Sequence, residues 1–312
     1  MGYSRYKPSD WTAHVDTTST KKREEIFTSR GLDNDLDPKN VIRESRDSDK
    51  NPEATAIIVN VDVTGSMGML AEQLVRKGVG KLFDEILDRK PVSDPHLMIT
   101  ANGDYTCDRV PFQASQFEAD IKIADWLTKI YLEGAGGGNN FESYDLPYYF
   151  AANQTSIDCF EKRNRKGYLF TMGDEPAPAV LTRSLAEKVL GDTGLETDIP
   201  FSQVVDQAMK MYHCFHIIVM EGSYIRHGYC GGIDDVRSTW NEAGMGQRLV
   251  ELKDINDLSE VIVSLIEVNE GADKEEVASS WDGSTEMTVR SAIKDITSSG
   301  DAFNDAMKAV RL

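Results

Sequence analysis

The chain has 312 residues, with 52 acidic and 34 basic side chains, a formal net charge of −18, and 40% hydrophobic residues. That length allows one large α/β domain with appendages, or two domains, and the apolar fraction is enough for a core. The acid excess argues against binding along a phosphate backbone, which needs a basic surface, and favours cations or basic partners. The cysteines, at 107, 159, 214 and 230, form no dense framework and read as reduced thiols. The opening MGYSRYKPSDW lacks the apolar stretch of a secretory signal. No apolar run approaches the ~20 residues that cross a bilayer. The expectation is a cytoplasmic protein that binds neither nucleic acid nor membrane.

In chain order, residues 1–52 are polar and charge-mixed, yet carry Tyr3, Tyr6, Trp11 and Phe27. Aromatics are scarce in disordered segments, so these predict an extended arm docked on the domain or on a partner. The next unit runs from 53 to 268. Ala56 to Val61 is a short, almost unbroken apolar run, as expected of a buried central strand. Leu70, Leu74, Val75, Val79, Leu82, Phe83 and Ile86 then keep helical spacing. His96 to Ala101 predicts a second strand, and Val110 and Phe112 a short edge strand, where Pro111 is tolerated. Residues 117–131 read as a helix, and a further helix is expected to start at Phe141.

Tyr168 to Met172 is the next apolar strand. Val180 to Leu190 and Phe201 to Met211 read as helices, Tyr212 to Met220 as a buried strand, and Leu249 to Leu252 as the last strand. Asn256 is expected to cap a helix whose apolar face is Leu258, Val261, Ile262, Leu265 and Ile266. This alternation predicts an α/β fold: a doubly wound, mostly parallel sheet with helices on both faces. From 269 to 312 the chain is a polar tail with short helices expected at 286–296 and 301–311.

The chemistry concentrates where strands end. Asp62, Thr64 and Ser66 follow the first strand as Asp62-Val63-Thr64-Gly65-Ser66. One carboxylate and two hydroxyls are hard oxygen ligands, suited to Mg²⁺, Mn²⁺ or Ca²⁺. Capping of the next helix is the plainer role for such residues. In open α/β sheets this end of a strand is where ligands bind. Asp174 ends the strand at 168–172 in the same way, in Gly173-Asp174-Glu175-Pro176. Between them lies the glycine-rich GAGGGNNFES, from Gly134 to Ser143. It lacks the Gly-Lys-Ser/Thr ending of a phosphate-binding loop.

These three elements, in this order, resemble the von Willebrand factor A (vWA) family and its metal-ion-dependent adhesion site. The family's first motif is usually Asp-x-Ser-x-Ser, and Thr64 keeps the hydroxyl of the first Ser. The family's glycine-rich loop usually supplies a Thr. Here the matching positions are Gly138, Asn139 and Asn140, so the Thr is absent, and Asn139 or Asn140 would offer a carbonyl oxygen instead. Asn140 also suits a helix cap. Asp174 matches the third motif by position, with Pro176 keeping part of its context.

The resemblance implies a divalent cation, Mg²⁺ or else Mn²⁺ or Ca²⁺, held by Asp62, Thr64, Ser66, Asp174 and Asn139. It implies a protein partner whose acidic side chain completes the shell. Intracellular members often work with AAA+ ATPases of the MoxR or magnesium-chelatase type, so it extends to such a partner. A second reading is an assembly protein with a vestigial ion site that makes its contacts through the terminal segments.

Other chemistry fits less well. A haloacid-dehalogenase-type phosphatase needs a nucleophilic Asp where this chain has Asn60, which cannot form an aspartyl-phosphate. His213, Cys214, His216, His227 and Cys230 crowd together, but their spacing matches no standard zinc ribbon or finger, and a strand at 212–220 would bury Cys214. No enzyme activity is expected.

Overall fold

The computed structural model describes residues 25, 29–67, 69–73, 79–133 and 141–297. Its centre is a six-stranded sheet. The strands are β1 (Thr55–Asp62), β2 (Pro95–Asn102), β3 (Phe112–Ala114), β4 (Gly167–Gly173), β5 (Tyr212–Val219) and β6 (Leu249–Leu252). They lie in the order 6-5-4-1-2-3, all parallel except the antiparallel pair β2 and β3. This is the doubly wound, mostly parallel α/β architecture that the alternation predicted.

Every residue of β1 is buried, because helices cover both faces of the sheet. Ile57, Val59 and Val61 face one layer, with Phe83, Leu127, Val261 and Leu265. Ala56 and Ile58 face the other, with Tyr148, Phe150, Val204 and Trp240. The edge strand β3 starts just after Pro111, so the missing amide costs the ladder nothing.

The departures from the sequence reading have local causes. The helix expected at Phe141 begins at Asp145, because Ser143 and Tyr144 are held by bonds to other segments. The stretch read as one helix from Val180 opens with a two-residue strand, Val180–Leu181, paired with Ile199–Pro200. Extended Thr182 then caps the helix Arg183–Leu190. Asn256 is not a cap: its backbone and side-chain amides both donate to Asp254 Oδ1, a stronger acceptor. The helix Ile233–Glu242 carries little periodicity and buries only Val236 and Trp240.

The flanking segments are tied to this sheet. Leu36 lies in the core, and Arg43–Ser45 pairs in parallel with Thr155–Ile157. After the helix Leu258–Asn269, the helices Lys274–Ser279 and Gly283–Ile293 pack back onto it, and Trp281 Nε1 donates to Ser264 Oγ at 2.9 Å. The tail helix expected at 301–311 lies outside the described residues.

Asp158 anchors the N-terminal segment. Its carboxylate accepts from Arg46 at 2.9 Å, from the Asp47 amide at 2.8 Å, and pairs with Lys162 at 2.6 Å. Burial alone would push the carboxyl up; the bonds from Lys162, the Asp47 amide and Arg46 outweigh it and hold it at about 2. The ordinary value is about 3.9, so this stability is complete above that pH and fades as pH falls through the folded value. Urea unfolding should find Asp158→Asn less stable than wild type at pH 6 by about 1–2 kcal/mol, discounted for the exposure of Lys162 and Arg46. The gap should narrow as pH is lowered toward 3.

Candidate metal centre

β1 and β4 are neighbours at the point where the strand order reverses, and both exit at the same edge of the sheet. Asp62 is the last residue of β1, and Asp174 directly follows β4. The topology therefore brings the two carboxylates together at the crevice where open α/β sheets bind ligands.

A string of hydrogen bonds joins the predicted residues. Asp62 Oδ1 accepts from the Thr64 amide at 2.9 Å and from Thr64 Oγ1 at 2.6 Å. Thr64 Oγ1 lies 3.1 Å from Ser66 Oγ, which donates to Asp174 Oδ1 at 2.6 Å. Asp174 Oδ2 accepts from the Tyr224 amide at 2.9 Å, and Asp62 Oδ2 from the Tyr144 hydroxyl at 2.8 Å. Asp62, Thr64 and Asp174 are buried, and Ser66 is half-buried. Asn139 and Asn140 lie outside the described residues.

Two glycines make room for this string. A Cβ on Gly173 would sit 1.8 Å from the Tyr144 hydroxyl and 2.8 Å from Asp62 Oδ2. A Cβ on Gly222 would sit 2.2 Å from the Asp174 Cβ.

The electrostatics are one-sided. Burial, then Asp174, pushes the Asp62 carboxyl upward, and burial raises Asp174. Burial, then Asp62 and Asp174, pushes Glu175 up to about 8. Burial, then Asp62 and Glu175, pushes Glu142 far above the usual carboxylate range, and its Oε2 is buried without a hydrogen-bond partner. Among the described residues, no Lys, Arg or His forms an ion pair with any of these four. The donor set is hard oxygen and has no basic partner among the described residues, so these residues fit a divalent cation. Among the described residues, no three His, Cys, Asp or Glu are grouped so that they could hold one.

Other expected residues fall elsewhere. Asn60 is fully buried, donates to Asn102 Oδ1 at 2.5 Å and accepts from Thr100 at 2.8 Å. Cys214 and His216 share a buried face of β5, whereas His227 and Cys230 are exposed. His216 stacks on Trp240 at 3.6 Å and bonds Thr171 through Nδ1. Tyr144, Gly222 and the Tyr224 amide carry no motif; only the fold brings them to the carboxylates.

No family model matches the sequence, and no curated protein matches it. Among solved structures, the chain is similar to the pilus adhesin SpaC from Lactobacillus rhamnosus GG. Its open conformation overlays with a TM-score of 0.43 at 8% identity, over 72% of this chain and 31% of the adhesin. Another form of SpaC gives 0.44 at 9% identity, over 72% and 32%. A von Willebrand factor type A protein from Catenulispora acidiphila gives 0.37 at 9% identity, over 70% and 43%. The chain spans less than half the length of each. Among the described residues, no helix is long and apolar enough to cross a membrane.

Gly173→Ala should destabilise the fold by about 1–3 kcal/mol, the usual cost of overpacking. Gly271→Ala has open space around its Cβ, though a positive φ of 106°, and separates backbone strain from the clash. Thermal melts should place Gly173→Ala below Gly271→Ala.

Proposed function

We propose that this chain is a protein-binding module of the vWA type whose grip depends on a divalent cation at Asp62, Thr64, Ser66 and Asp174. The observation that carries this reading is the pair of buried strand-end carboxylates, Asp62 and Asp174, joined through two hydroxyls and faced by no basic side chain among the described residues. A bound cation supplies positive charge that holds both carboxylates ionised and an open position for an oxygen ligand. Thr64 and Ser66 orient the carboxylates, and the Tyr224 amide fixes Asp174 from behind. The partner presents an Asp or Glu side chain. Without the cation, a chain of net charge −18 would repel such a group. An AAA+ ATPase of the MoxR type is the partner class that the sequence resemblance brings to this reading. It includes no catalytic step.

A second reading, an assembly protein with a vestigial site, is favoured by the lack of any three ready acidic or imidazole ligands among the described residues. Metal titration separates the two. Mg²⁺ or Mn²⁺ at ~100 times its dissociation constant should raise wild-type stability by ~2.7 kcal/mol over EDTA. Asp62→Asn should lose that increment, yet melt in EDTA no lower than wild type, because it removes a buried charge facing Asp174. Thr64→Ser keeps the hydroxyl and should respond like wild type. A wild type indifferent to every metal would leave the vestigial reading in possession.

A further inference from the structure

We infer that Tyr144 is a positioning residue for Asp62, acting through its hydroxyl. This rests on the cation reading above. The Asp62 carboxylate has one oxygen taken by the amide and hydroxyl of Thr64. Rotation about its remaining bond is set by whatever meets Oδ2, and the group that meets it is the Tyr144 hydroxyl at 2.8 Å. Both side chains are fully buried, so water does not compete. The phenol donates to Oδ2 while Thr64 donates to Oδ1, so the plane of the carboxylate is fixed from both ends.

The phenol is itself fixed. Its ring lies edge-on to His216 at 5.2 Å and tilted against Trp240 at 5.2 Å. The bare Cα of Gly173 leaves the slot that its oxygen fills. Its neighbour Ser143 is held to the β2 exit: its amide donates to the Gly103 carbonyl at 3.3 Å, and its hydroxyl accepts from the Tyr105 amide at 3.0 Å. Packing alone would be met by Phe. The hydroxyl adds nothing to that packing and ends on the one carboxylate of β1.

The test is Mn²⁺ binding to the full chain, read from the loss of the free-ion spin-resonance signal, beside thermal melts in EDTA. Tyr144→Phe should raise the Mn²⁺ dissociation constant about tenfold or more, as for other partners that orient a metal ligand. Tyr148→Phe is the control. Tyr148 is equally buried on the next turn, but its hydroxyl meets Thr171 at 3.2 Å, away from the carboxylates. It should keep wild-type affinity whatever its melting temperature. If wild type binds Mn²⁺ and Tyr144→Phe binds it within twofold, the positioning role is wrong and the cation reading stands. Equal weakening by both variants would also overturn the role, as a general packing effect. A wild type that binds no Mn²⁺ overturns both. Should Tyr144→Phe not fold, wild type grown with 3-fluorotyrosine, a stronger phenol donor, should bind Mn²⁺ more tightly than the unlabelled protein, and unchanged or weaker binding would refute the role.

Discussion

Two carboxyl groups that have left water with no basic partner among the described residues set the terms for the rest of this molecule. Burying an unpaired charge is among the most expensive acts a fold performs. Burial pushes the Asp62 and Asp174 carboxyls upward side by side, and both push Glu175 upward as well. The chain's own donors offset part of this. Thr64, Ser66, Tyr144 and the Tyr224 amide each give a hydrogen bond to one of the two central carboxylates.

The surrounding architecture serves this arrangement. Parallel strands point their carboxyl ends the same way, and the reversal of strand order opens a gap between the loops that leave β1 and β4. Gly173 and Gly222 leave the room that the Tyr144, Asp62 and Asp174 side chains occupy. Below it, the sheet face carries polar residues instead of aliphatic ones: Asn60, Thr100, Asn102, Thr171 and His216. Asn60 bonds Asn102 and Thr100, and Thr171 bonds His216, while Asn102 Nδ2 and His216 Nε2 are buried without a partner. Such a network rigidifies when its members are paired.

The same edge of the sheet explains why the helix after the glycine-rich segment starts late. Ser143 is pinned to the exit of β2, and Tyr144 reaches to the exit of β1. Tyr144 already has helical backbone angles, φ −65° and ψ −17°, at the entry to the helix.

The sequence by itself determined the parts that depend on periodicity and local chemistry. The strands at β1, β2, β4, β5 and β6 were legible as mainly apolar runs, because a strand covered on both faces keeps few polar positions. Asp62, Thr64 and Ser66 were legible because a strand-end turn concentrates them within five residues, and Asp174 because a second strand repeats that pattern. The helix Ile233–Glu242 was not legible, because it buries only a thin stripe, and the start of the helix Asp145–Asn153 was misplaced, because that helix is buried on nearly every side and shows no helical period. Only the tertiary structure decided what stands around the carboxylates. Tyr144, Gly222 and Tyr224 are far from Asp62 in sequence, and their types are ordinary. They matter because a parallel sheet with crossover connections draws distant loops to one edge, and nothing local encodes which loop side chain will meet which carboxylate.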